Sequence, residues 1–107
     1  LHILSNGFKE VTYKKCELSG IKNYFQTITS ADEINIRKPH PEVYDYALKK
    51  AGATTEESMM IGDDWIADVE GGKACGLEVV FLDVFNDNFE ADGVKTIKKL
   101  KELETLL

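Results

Sequence analysis

Three short clusters hold most of the sequence's potential for chemistry: Ser5-Asn6-Gly7, Arg37-Lys38-Pro39, and Gly62-Asp63-Asp64 with Asp68 following. Together they offer a hydroxyl, backbone N–H groups, an ammonium and several carboxylates. That inventory suits a phosphoryl group held beside a divalent cation. Carboxylate oxygens take Mg²⁺ at about 2.0–2.1 Å, while hydroxyl, amide and ammonium groups neutralise phosphoryl oxygens. Each cluster also has a plainer reading. Ser-Asn-Gly is an ordinary turn and capping sequence. Lys38 before Pro39 reads as a solvated loop lysine, and Asp63 or Asp64 can cap the helix that follows and favour its dipole. Asp68 either reaches back toward the strand end or faces water. The acidic pair is the most telling of the three, because adjacent carboxylates at the mouth of an apolar strand repel one another and call for a cation or a lysine.

The elements that must position these residues alternate in the order βαβαβαβα. Leu1 to Leu4 reads as a strand closed by Ser5-Asn6-Gly7. Phe8 to Leu18 reads as a helix with Phe8, Val11, Tyr13 and Leu18 on one face and Gly20 at its end. Tyr24 to Thr29 suits a strand, and Ser30 to Pro41, which holds both prolines, suits a loop. From Glu42 to Ala51 the apolar residues Val43, Tyr44, Ala47, Leu48 and Ala51 recur at helical spacing, after Pro41 and before Gly52. Ser58 to Ile61 is a strand that runs into the acidic cluster. Ile66 to Cys75 follows as a helix whose Gly71 and Gly72, each costing about 1 kcal/mol against Ala, point to close packing or an early end. Glu78 to Leu82 is the most β-prone run, and Val94 to Leu107 reads as a charged closing helix. Strands alternating with helices predict an α/β domain with a mainly parallel sheet. Ligands gather at the carboxyl ends of such strands, so the three clusters are expected to converge on one edge.

Composition narrows the function classes. The 107 residues carry 13 Lys and Arg against 19 Asp and Glu, a formal charge of −6 that disfavours a nucleic-acid surface. The Lys-rich tail, Lys95 to Lys101, reads as a solvated face. A chain this long buries about 65% of its unfolded surface, enough for one core and too little for two, so a second domain is excluded. The longest apolar run, Val79 to Leu82, is far short of the roughly 20 residues a membrane span needs. Cys16 and Cys75 are too few for a disulfide framework or a zinc site, which points to reduced thiols in the cytoplasm. His2 and His40 lack ligand spacing. Trp65, Met59 and Met60 read as packing residues. Leu1 already lies in a strand-like segment, so the chain is expected to be part of something longer.

Taken in order, the strand ending in Ser5-Asn6-Gly7, the Lys38-Pro39-x-Pro41 loop, and Gly62-Asp63-Asp64-x-x-x-Asp68 with Gly71-Gly72 and Gly76-Leu77 resemble the last three motifs of the haloacid dehalogenase superfamily. These are hydrolases, mostly phosphatases, with a Rossmann-like three-layer α/β/α core. The resemblance covers nearly the whole chain. Ser5-Asn6-Gly7-Phe8 with Glu10, and Asp68-x-x-Gly71-Gly72, are similar to a branch of pyrimidine nucleoside-monophosphate 5′-nucleotidases. It implies that Ser5, helped by the N–H of Asn6 in the Ser5-Asn6-Gly7 turn, binds a phosphoryl oxygen. Lys38 then neutralises nucleophile and phosphate, Asp63 coordinates Mg²⁺, and Asp68 supports the metal shell and orients Lys38. Asp64 occupies a variable position. The family's reaction passes through an aspartyl-phosphate.

The departure from the pattern matters as much. The family's first motif, Asp-x-Asp-x-Thr or a near relative, supplies the nucleophile, and no segment of this sequence holds it. Asp83 and Asp87 come in the wrong order, and Asp32 does not follow a strand of that kind. The cap that chooses substrate is missing too. In the family, the strand of that motif lies between the Ser5 strand and the Gly62 strand, so its loss leaves unpaired backbone groups, each costing about 1–3 kcal/mol when buried. Residues 1–107 are therefore expected to be the carboxy-terminal part of a hydrolase core that acts on a small phosphorylated metabolite. Alone, they should be weakly stable, oligomerise through strand edges or recruit another chain's strand. The alternative is a free-standing remnant that binds phosphate or a partner and catalyses nothing. A receiver-like signalling domain also pairs acidic residues with Mg²⁺, but it wants the acidic pair early and the lysine late, against the order here.

Overall fold

A computed structural model describes residues 1–106 of the chain. The described strands form two parallel sheets, and the chain gathers into two compact units, Leu1–Thr54 and Thr55–Leu107. Each described strand pairs within its own unit.

In the first unit β1 (His2–Ser5) lies parallel to β2 (Thr27–Ser30), with His2 opposite Thr27 and Ser5 opposite Ser30. A parallel pair needs a crossover, which α1 (Lys9–Leu18) supplies. The face of α1 differs from the expected one: Thr12 and Cys16 are buried, whereas Phe8, Val11 and Leu18 are exposed. Thr12 turns inward with its hydroxyl bonded to Ser5 Oγ. The expected strand from Tyr24 starts later, since Lys22–Tyr24 is a 3-10 turn, and the expected loop opens with another at Ala31–Glu33. As expected, α2 (Pro41–Ala51) has Pro41 in its first turn, buries Val43 and Tyr44, and stops at Gly52, whose φ of 69° is the left-handed conformation that glycine adopts freely.

Thr29 is fully buried on β2, and its Oγ1 is the buried side-chain oxygen without a partner among the described residues. An unsatisfied buried hydroxyl costs about 1–3 kcal/mol, so Thr29→Val should raise stability, by roughly 1 kcal/mol. Chemical denaturation checks this, and a loss on substitution would mean that the hydroxyl is satisfied.

The second unit has the order β3-β4-β5, all parallel: β3 (Met59–Gly62), β4 (Glu78–Leu82) and β5 (Lys95–Ile97). Its core is Val69, Val79 and Phe81, with Met60, Trp65 and Val94 packed against it. Trp65 meets Phe81 edge-on at 5.0 Å between ring centroids, so packing is its role. The expected helix from Ile66 is present, wound as a π-helix over Trp65–Glu70 and continuing into α3 (Gly71–Ala74). Gly72 answers the close-packing reading: a Cβ there would lie 3.0 Å from Val79 Cγ2 and 3.3 Å from Met60 Cβ.

The expected closing helix is corrected too, for Lys95–Ile97 adds a third strand and only Leu100–Thr105 coils, as a 3-10 helix. Leu107, the expected end of that helix, lies outside the described residues. Asp83 follows β4 directly, is buried, and accepts from Lys98 Nζ at 2.7 Å, Asp87 N–H at 2.8 Å and Asn88 N–H at 3.0 Å. The Lys98 ammonium, with those two amides, holds the Asp83 carboxyl below its ordinary range despite burial. Because the folded value is the lower one, the resulting stability is complete above about pH 4 and disappears as pH falls through the depressed value. Acid unfolding of Asp83→Asn should start from a lower stability at neutral pH and show a shallower slope; superimposable curves would remove Asp83 from that role. No helix among the described residues is long and apolar enough to cross a membrane.

Candidate active site

Ser5, the last residue of β1, opens a turn in which its Oγ accepts the Gly7 N–H at 2.9 Å and the Thr12 hydroxyl at 3.2 Å. The next side chain reaches across to the lysine loop. Asn6 Oδ1 accepts the Lys38 N–H at 2.8 Å, and Asn6 Nδ2 donates to the Lys38 carbonyl at 3.2 Å. A side-chain amide carries both a donor and an acceptor, so one Asn satisfies both backbone groups of Lys38. The Lys38 ammonium donates to the Leu4 carbonyl at 3.0 Å, and the Lys38–Pro39 peptide is cis. The residues expected to bind phosphate, Ser5, Asn6, Gly7 and Lys38, are thus brought together at the carboxyl end of β1. Lys38 is an anchored group rather than the solvated loop lysine of the plainer reading.

In the second unit, β3 ends at Gly62, and Asp63 and Asp64 follow as exposed residues. Asp64 caps the π-helical turn, its Oδ1 accepting the Ala67 N–H at 2.9 Å, which is the capping reading of that residue. Asp68 is 4% exposed and turns back to the strand end, where its Oδ2 accepts the Asp64 N–H at 3.1 Å. Asp68 packs so closely on Gly62 that a Cβ at residue 62 would lie 2.2 Å from that oxygen. Asp63 has no hydrogen bond or ion pair with other described residues, so its carboxylate faces outward. Among the described residues no three His, Cys, Asp or Glu side chains form a complete metal cluster. Two carboxylates still fit Mg²⁺, which commonly takes one or two from protein and completes its shell with water and substrate oxygens.

Other candidates have structural partners. Asp32 does follow a strand, β2, but its Oδ2 accepts the Lys9 N–H at 2.9 Å and its Oδ1 the Ser30 hydroxyl at 2.7 Å. Those bonds, the Lys9 amide first, hold its carboxyl below the ordinary range and tie down the start of α1. His40 caps α2, accepting from the Glu42 N–H at 3.4 Å, and His2 bonds Thr27 Oγ1 at 2.8 Å. Sequence reasoning missed Thr12 and the side-chain role of Asn6. Nothing in the sequence marks Thr12, but the Asn6 amide two residues before a helix could have been paired with a loop backbone.

Residues 1–82 match the family of haloacid dehalogenase-like hydrolases. The chain is 31% identical to the pyrimidine 5′-nucleotidase YjjG of Escherichia coli strain K12, over 98% of this chain and 48% of that protein. A haloacid dehalogenase-type phosphatase from Thermococcus onnurineus superposes with a TM-score of 0.89 at 29% identity, over 99% of this chain and 49% of that one. The hydrolase YfnB of Bacillus subtilis, in a structure bound to magnesium, gives a TM-score of 0.89 at 28% identity, over 100% and 47%. The chain spans about half the length of the curated relatives it matches. Because the family match runs from the hydroxyl turn past the anchored lysine and the acidic strand end, the chain belongs to the haloacid dehalogenase-like hydrolases.

Proposed function

We propose that residues 1–107 are the carboxy-terminal part of the core of a Mg²⁺-dependent phosphomonoester hydrolase. Its substrate is a small phosphorylated metabolite of the nucleoside-monophosphate type, met in the cytoplasm, with neither nucleic acid nor membrane as partner. The observation that carries this reading is the amide fork of Asn6, which fixes the backbone of Lys38 beside the Ser5 turn. A solvated loop lysine needs no such clamp; an ammonium that must meet a phosphoryl oxygen does.

In this mechanism the Ser5 hydroxyl and the Asn6 N–H donate to phosphoryl oxygens, and Lys38 balances their charge. A carboxylate from a segment outside these residues attacks phosphorus, the alcohol leaves, and water then cleaves the aspartyl-phosphate. Asp63 would coordinate the cation and Asp68 would support its shell; such a cation would neutralise phosphoryl charge and draw electrons from phosphorus. The magnesium in the YfnB structure and the nucleotidase activity named for YjjG support the metal and substrate class. Among the described residues β1 and β3, the two strands that end in these residues, each pair on one side, which suits a nucleophile-bearing strand supplied from elsewhere.

A test is phosphate release from pyrimidine nucleoside monophosphates by the full-length protein, with Mg²⁺ and with excess chelator. Release that requires Mg²⁺ is expected, and release indifferent to chelator would overturn the reading. The second reading is a non-catalytic remnant that binds phosphate or a partner. Binding of inorganic phosphate without turnover by the full-length protein would establish that one.

A further inference from the structure

We infer that Thr12 is a positioning residue that aims the Ser5 proton at the substrate's phosphoryl group. The inference rests on the assignment of Ser5 as a phosphoryl donor and goes beyond it. A serine hydroxyl has one proton and two lone pairs. The Gly7 N–H, which can only donate, takes one lone pair at 2.9 Å, and the Thr12 hydroxyl takes the second at 3.2 Å. With both accepting positions filled, the remaining proton points away from Gly7 and Thr12 and is free for an incoming phosphoryl oxygen.

Two further observations support a built arrangement. Thr12 is 8% exposed, so water has little access to compete for its hydroxyl, and its position in α1 is fixed by its own N–H donating to the Phe8 carbonyl at 2.9 Å. Gly7 leaves the space the two hydroxyls use, since a Cβ there would lie 3.1 Å from Ser5 Oγ and 3.3 Å from Thr12 Oγ1. The burial of this polar residue on the inner face of α1, where an apolar one would pack better, is thereby explained. Without Thr12 the Ser5 hydroxyl regains rotational freedom and spends part of its time aimed elsewhere.

The test is a double-mutant cycle in the full-length enzyme, reading kcat/KM on an aryl phosphate, the inhibition constant of inorganic phosphate and the thermal midpoint. Thr12→Val, which removes only the hydroxyl, should lower kcat/KM by about threefold to tenfold and weaken phosphate inhibition, as loss of one hydrogen bond does. Thr12→Ser should restore both, and Thr12→Val should cost nothing further when Ser5 is already Ala. If the Val variant does not fold, Thr12→Ala removes the same hydroxyl and is read in the same cycle. An equal loss in the Ser5→Ala background would show a purely structural role and overturn the inference, as would unchanged kinetics in Thr12→Val beside a large loss in Ser5→Ala. If Ser5→Ala itself leaves kcat/KM unchanged, the Ser5 assignment falls first and this inference with it.

Discussion

Replacing Lys38 with Ala is expected to lower phosphomonoester turnover by about 100-fold or more while the protein stays folded, a loss on the scale of removing one preorganised donor from a charge-stabilising site. The backbone of residue 38 would remain where Asn6 holds it, because both of those hydrogen bonds go to main-chain atoms. What disappears is the ammonium, anchored through the Leu4 carbonyl at the end of β1. Turnover and thermal midpoint measured on the same preparation separate the two effects. Asp63→Ala should behave alike, since this exposed carboxylate has no hydrogen bond or ion pair with other described residues to lose. Near-normal turnover in either variant would remove that residue from the site.

Gly62→Ala is the second large effect, and it comes from one methyl group. The new Cβ would sit 2.2 Å from Asp68 Oδ2 and 2.4 Å from Asp68 Cβ, distances that no side-chain adjustment short of moving the whole aspartate can relieve. Displacing Asp68 strips the Asp64 N–H of its acceptor and disturbs the carboxylate proposed to support the metal shell. Overpacking of this kind costs about 1–3 kcal/mol in stability. Turnover should fall steeply, with the requirement for Mg²⁺ shifted to higher concentration. The comparison to make is a Mg²⁺ titration of activity for both proteins. Overlapping titrations would mean that Asp68 does not support the metal.

These effects trace back to features of unequal visibility in the sequence. α2 could be read from Pro41, the spacing of Val43 and Tyr44, and Gly52, because start, buried face and stop were all marked by side chains. β5 could not. It joins its sheet through backbone pairing with β4 and buries only Ile97, so Lys95 and Thr96 blend into a charged tail that looks helical. The inner face of α1 was misread for a related reason. Apolar spacing pointed to Phe8, Val11 and Leu18, whereas the side that closes on Ser5 carries Thr12 and Cys16. The candidate site shows the same division. Ser5-Asn6-Gly7 and Gly62-Asp63-Asp64 are legible as residue types at strand ends, Lys38 as a loop residue before a helix, and Asp64 as a cap for the turn that follows it. The partners that fix them are not, because the bond from Asn6 to Lys38 joins positions far apart in sequence and a polar residue such as Thr12 inside a helix looks like solvent-facing surface.

The most direct test of the central claim is phosphate release from an aryl phosphate, with and without Mg²⁺, by residues 1–107 alone and by the same residues joined to a preceding segment that bears the Asp-x-Asp strand, with intact mass recorded for each sample. Residues 1–107 alone should release nothing, and the joined protein should turn over only with Mg²⁺. Metal-dependent turnover by residues 1–107 alone, at their own mass, would contradict the claim and place the nucleophile among Asp32, Asp63, Asp64 and Asp68.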